Sequence, residues 1–293
     1  MSPPTLAVVT PSHAPDLPLF NEMHRSVLRH TDESTVHVVV VNPEDLPRYR
    51  GFAGPRCQVL TIQDLLPRTF VPVPGRPLWL HRRRPLPPVR GWVMQQVLKI
   101  AVAAALDVDV VLIMDSDVVL VRDVRAEQYR GPRGCAFYRR DDAVHAGMER
   151  HVLWHRAARQ LLGLPPAPVP LPDYVTSFNV WDPAVVRRMQ QRIEEVTSRS
   201  WVQAVATRLH VSEFILYGVF VDEVLRGSGV DARSSLGCLE YWDPVPLDEA
   251  GARRMVDRFD QDHVSVMVSS KSHTPLAVRD VVLAGCRTRV GDG

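Results

Sequence analysis

Short apolar runs, each closed by turn residues, dominate the first 120 positions. Leu6-Ala7-Val8-Val9 leads into Thr10-Pro11-Ser12, so residues 6–12 read as a buried strand ending in a turn. Residues 17–30 set Leu17, Phe20, Met23 and Val27/Leu28 on one helical face. Val36 to Val41 is β-branched everywhere except His37 and stops at Asn42-Pro43. Residues 57–62 give a third strand. Strand, helix, strand, with strands apolar on both faces, predicts a parallel sheet in an α/β fold. Helix resumes over 91–106, and 108–114 is an apolar strand interrupted only by Asp109. It runs straight into Asp115-Ser116-Asp117.

The second half is less regular. Strands are expected at 134–139, 174–181 and 263–269, and helices at 146–162 and 212–226. Asp182-Pro183 opens a further helix, with Asp at the cap and Pro in the first turn. Ser212 is the expected N-cap of the helix that follows it. Two Pro-rich stretches, 67–90 and 164–172, read as loops, and Arg82-Arg83-Arg84 in the first reads as a solvated run. The tail from Cys286 reads as loose. No linker or repeat divides the chain, which predicts one domain over 1–293.

Composition narrows the function classes. Of 293 residues 45% are hydrophobic, enough for a sizeable core, and the net charge is +2. That balance calls for neither nucleic acid nor a membrane surface as partner. Cys57, Cys135, Cys238 and Cys286 have no metal-site spacing and suit reduced thiols in a cytoplasmic protein. No signal peptide is visible, and no apolar stretch reaches the roughly 20 residues of a transmembrane segment. All but two of the 35 basic residues are Arg, and Asn occurs only at 21, 42 and 179. A GC-rich genome, as in actinobacteria, accounts for that bias. The retained Lys99 and Lys271 then mark positions wanting a compact ammonium, or chance.

The acidic triplet is the chemical centre. Side chains two apart on a continuing strand share a face. Two carboxylates there repel unless a cation lies between them, and a hard ion such as Mn²⁺ or Mg²⁺ suits them. Such an ion clamps a diphosphate and stabilises a departing phosphate. The bland reading is a capped turn. A haloacid-dehalogenase-like Mg-dependent phosphatase also carries an apolar strand followed by DxD, with Asp115 as nucleophile. That motif ordinarily closes the first strand of its core, whereas two strand–helix units precede this one. A non-catalytic nucleotide-sugar-binding protein is the third possibility.

The order of segments carries a resemblance. Thr10-Pro11-Ser12 with Asp16, then Trp92, Gln95, Gln96 and Lys99, then the DSD triplet, then Ser177-Phe178-Asn179-Val180, then Ser212-Glu213-Phe214 to Tyr217-Gly218, together resemble GT-A-type glycosyltransferases. They look most like a poorly characterised bacterial DSD-containing group with a domain of unknown function. The resemblance spans roughly 6 to 270. It implies a GT-A-like, Rossmann-related mixed sheet flanked by helices. Residues 6–121 would form the nucleotide-sugar-binding half and 122–285 the acceptor-side half. The partners implied are a nucleoside-diphosphate sugar and a small-molecule or glycan acceptor.

The resemblance also implies roles. Asp115 and Asp117 hold the metal, with Ser116 between them at the donor. Thr10 and Ser12 face the nucleotide, or are turn residues. Asp45 accepts from ribose or base, or is an exposed turn acid. Gln96 and Lys99, neighbours on one helix face, meet the donor, or form a solvated face. Asn179 lies beside the sugar, or ends a strand. Glu213 is the base for an inverting transfer, or complements a helix N-terminus; Asp173 and Asp222 are lesser candidates. Lys271 binds phosphate, and His273 is a third metal ligand or a surface histidine.

Overall fold

The computed structural model describes residues 3–66, 69–73, 76, 78–82 and 84–291. Its centre is a five-stranded sheet in the order Phe178–Trp181, Val110–Met114, Leu6–Pro11, Val36–Val41, Cys57–Thr61. The last four strands are mutually parallel, and Phe178–Trp181 joins antiparallel to Val110–Met114. The fold is therefore mixed α/β.

The two-residue period of a strand divides this sheet between two cores. Val9, Val111 and Ile113 pack into one, with the helix Gly91–Ala105. Val8, Val110 and Leu112 pack into the other, with Phe20, Met23 and Val27 of the helix Leu17–His30. All six of those strand residues are fully buried, which is why these strands read as continuous apolar runs.

A second sheet begins where the first ends. Val118–Leu120 pairs antiparallel with Ser265–Val268, which pairs parallel with Cys238–Tyr241. The register sets Met267 opposite Val118 and so brings the turn at Ser269–Lys271 back beside the triplet.

Three expectations change. The stretch 67–90 is not a plain loop: Phe70–Pro72, Leu78–His81 and Arg84–Arg90 form a small antiparallel sheet. Phe70, Trp79 and Val89 are buried in it, an apolar pattern diluted in sequence by Pro and Arg. Arg82 is exposed, and Arg83 of the basic run lies outside the described residues. The tail is not loose, because Leu276–Gly291 is a helix that buries Arg279, Val282, Leu283 and Cys286. The 174–181 strand begins only at Phe178, and residues 174–177 form a turn under the triplet. Among the described residues no helix is long and apolar enough to cross a membrane.

Candidate active site

The triplet sits in the joint between the two sheets. Met114 ends the first sheet opposite Phe178, and the Asp115 N–H still reaches Ser177 O at 3.2 Å. A turn then bonds Val118 N–H to Asp115 O at 3.1 Å, and the chain enters the second sheet. This lifts the carboxylates off the carboxyl end of a parallel strand, where open α/β sheets bind ligands. A cavity of about 660 Å³ lies there, lined among others by Lys99, Asp115, Ser116, Asp117, Glu213 and Lys271.

Lys99 organises the floor. Its Nζ lies 3.1 Å from Asp115 Oδ1 and 2.9 Å from Glu213 Oε1, and 4.7 Å from the centre of the Phe214 ring. The ammonium is buried. Burial opposes its charge, but Asp115 and Glu213 outweigh that and raise its pKa above the ordinary lysine value. Glu213 is 1% exposed, and its Oε2 has no hydrogen-bond partner among the described residues. A buried polar oxygen left unpaired is costly unless a ligand or water meets it.

Asp117 differs from Asp115. Its Oδ2 accepts the Ser270 N–H at 2.7 Å. Burial and the neighbouring Asp115 charge push its pKa up to about 6, against the opposing pull of the Ser270 N–H. Asp115 and Asp117 could together hold a divalent cation. The donors are hard oxygens, and each aspartate has one oxygen held by protein, Asp115 Oδ1 by Lys99 and Asp117 Oδ2 by Ser270.

Residues 6–279 match a family described as a family of unknown function (DUF6492). The chain belongs to that family. No curated protein matches it in sequence. Among solved structures it is similar to the crystal structure of mouse xyloside xylosyltransferase 1 in its apo form. The identity there is 13%, covering 92% of this chain and 99% of that one, with a TM-score of 0.47.

Around the cavity of this DUF6492 chain the expected residues divide into three groups. Asp115, Ser116, Asp117, Gln96, Lys99, Glu213 and Lys271 all line it. Gln96 donates its amide to Trp92 O at 3.0 Å, and Ser116 Oγ donates to Ser12 Oγ at 2.9 Å.

A second group stands one layer behind. Ser12 is bonded to Tyr49 at 2.8 Å. Asp45 accepts the Ala14 N–H at 3.1 Å and so braces the turn that carries His13 and Asp16 into the cavity. Asn179 is buried and donates to Tyr174 O at 3.0 Å, holding the 174–177 turn.

The third group is outside. Thr10 is fully buried and bonds His37 Nε2 at 3.0 Å. His37, His24 and Cys57 are the only group of three or more metal-ligating side chains this tightly clustered among the described residues. The two Nδ1 atoms already bond each other at 2.9 Å, so the pair satisfies itself in the core. His273 is exposed, with φ 55°, at the end of the turn that carries Lys271, and it does not line the cavity. His13 does, bonded to Asp16 at 3.1 Å, which raises its pKa despite burial.

One residue carried no sequence signal. Glu240 Oε1 accepts from Thr176 Oγ1 at 2.9 Å, Ser177 N at 2.7 Å and Ser177 Oγ at 2.6 Å, and its Oε2 accepts Trp242 Nε1 at 3.0 Å. Since Ser177 O holds the Asp115 N–H, Glu240 braces the triplet from below. Only the pairing of distant strands places it there.

Proposed function

We propose that this DUF6492 chain is a glycosyltransferase, moving a sugar from a nucleoside-diphosphate sugar to an acceptor nucleophile on a small molecule or glycan. The observation that carries the reading is the pair Asp115 and Asp117, opening into a cavity above a parallel sheet and backed by the buried Lys99. The pair would hold Mn²⁺ or Mg²⁺, which neutralises charge building on the diphosphate as the sugar leaves.

The chain's own groups do the rest. Lys271 and the Ser269–Ser270 turn, which line the same cavity, face the phosphates. Lys99 fixes Asp115 and ties it to Glu213 through one ammonium. Glu213 is the base: as the acceptor oxygen bonds the anomeric carbon and the carbon–phosphate oxygen bond breaks, its unpartnered Oε2 takes the acceptor proton. No observation favours the phosphatase reading, which would make Asp115 a nucleophile although Lys99 already holds its Oδ1.

A thermal-shift panel of nucleoside diphosphates with and without Mn²⁺ tests this, followed by turnover with the matching sugar nucleotides. We expect stabilisation by at least one diphosphate that requires the metal. Stabilisation by none, in either condition, would overturn the reading.

A further inference from the structure

The far end of the cavity carries a group that the transfer chemistry above does not use. Trp92 opens the helix Gly91–Ala105, and Arg150, His151 and Trp154 lie in the first turns of the helix Glu149–Leu162. All four line the cavity. The two indoles are stacked, with centroids 5.5 Å apart and planes 21° apart. The Arg150 guanidinium lies 5.1 Å from the Trp92 ring and 5.2 Å from the Trp154 ring, and the His151 ring is 4.7 Å from Trp154.

Two features point to an absent ligand. Trp154 is 7% exposed, yet its Nε1–H has no partner among the described residues. Arg150 is exposed and no carboxylate among the described residues pairs with it. A guanidinium carries its N–H donors in a planar fork that matches a carboxylate. Trp92 is half-buried and offers an apolar ring to the cavity.

The position fits the remote end of an acceptor. Trp92 and Lys99 are seven residues apart on one helix, about 10 Å along its axis. That spacing is of the order of two sugar rings, so a group at Arg150 is well clear of the reacting centre at Asp115 and Glu213.

We infer that Trp92, Trp154 and Arg150 form an acceptor subsite for an acidic sugar, Trp92 packing its apolar ring face, Trp154 offering its Nε1–H and Arg150 binding its carboxylate. The word acceptor rests on the glycosyltransferase reading; the site for an acidic sugar does not. His151 and Asp173, both at this end of the cavity, are within the reach of neighbouring hydroxyls.

The test is binding to the full chain, read by tryptophan fluorescence and calorimetry. The probes are a glucuronate-terminated disaccharide, the neutral disaccharide of the same linkage, and glucose 1-phosphate. We expect the uronide to bind at least tenfold tighter than the neutral sugar. Arg150→Ala should abolish that preference and Arg150→Lys restore only part of it, while Trp92→Leu should weaken both disaccharides. Equal binding of the two disaccharides, binding of neither, tighter binding of the sugar phosphate, or a preference surviving in Arg150→Ala would each overturn the inference. A parallel thermal shift with nucleoside diphosphate and Mn²⁺ reads the donor end separately. If that shift is missing while the uronide preference holds, the glycosyltransferase reading fails and this site stands.

Discussion

Lys99 Nζ lies 2.9 Å from Glu213 Oε1, and both side chains are almost completely buried. With Asp115 on its other side, Lys99 is the only positive charge among the described residues ion-paired to either carboxylate. Removing one partner of a buried pair leaves an uncompensated charge, which typically costs about 3–5 kcal/mol.

Lys99→Met should therefore destabilise the protein by about that amount, measured by urea unfolding. Lys99→Met with Glu213→Gln should lose less than the single variant, because the orphaned carboxylate is gone. A double variant as unstable as the sum of its parts would show that the pair is not coupled.

Asp117 gives a pH dependence with a defined sign. Its folded pKa, about 6, is above its ordinary value of 3.8. The unliganded protein thus holds this proton more tightly than the unfolded chain does. The stability from this group is complete below pH 3.8 and is lost as pH rises through 6. At about 1.4 kcal/mol per unit, the loss by pH 7 is on the order of 3 kcal/mol. Asp117→Asn should accordingly stabilise the unliganded protein at pH 7 and flatten its stability between pH 4 and 7. Denaturant midpoints across that range check it.

Under the proposed function the same proton would compete with the metal. In the wild type, stabilisation by Mn²⁺ with nucleoside diphosphate should weaken as pH falls through about 6. In Asp117→Asn it should be absent at every pH. Titration calorimetry at pH 5 and pH 7.5 checks both, and metal-dependent binding left intact in the variant would remove Asp117 from the metal site.

Glu240 should behave as a positioning residue. Glu240→Ala strands Thr176, Ser177 and Trp242 donors, and we expect about 1–3 kcal/mol of stability lost. Metal-dependent nucleotide binding should weaken at least tenfold, while Glu240→Gln recovers part of it because one oxygen can still accept. Unchanged nucleotide affinity in a folded Glu240→Ala would mean that the brace does not reach Asp115.

Gly218 explains why Tyr217 is followed by the smallest residue. A Cβ there would lie 2.2 Å from Cγ of Tyr174, whose ring is buried and whose hydroxyl donates to Asp222 at 2.6 Å. Gly218→Ala should cost about 1–3 kcal/mol or more through overpacking. Thermal unfolding measures it, and Gly51→Ala, which meets nothing within 4 Å, is the control.

The parallel strands and the carboxylates at the end of one were legible because their signals are local. Val8 to Val9, Val38 to Val41 and Val110 to Met114 are apolar on both faces, which is what a covered parallel strand requires. The Pro-rich sheet and the C-terminal helix were not legible, since Phe70, Trp79, Val89, Val282 and Cys286 are spaced too sparsely among Pro, Arg and Gly to show a period. The roles of Thr10, Asp45, Asn179 and His273 were open for another reason. A hydroxyl, amide, carboxylate or imidazole next to a motif has the same composition whether it faces a cavity or a core.

From the chain alone came the α/β class, the position of Asp115 and Asp117, and the helix that delivers Lys99, because each follows from neighbours within a few residues. Tertiary structure decided what those groups meet. Lys99 pairs with Glu213, Asp117 with the Ser270 N–H, and Glu240 with the turn beneath Asp115, across separations no local pattern encodes. A buried charge is governed by the charges and dipoles packed against it, and those arrive only when distant strands come together.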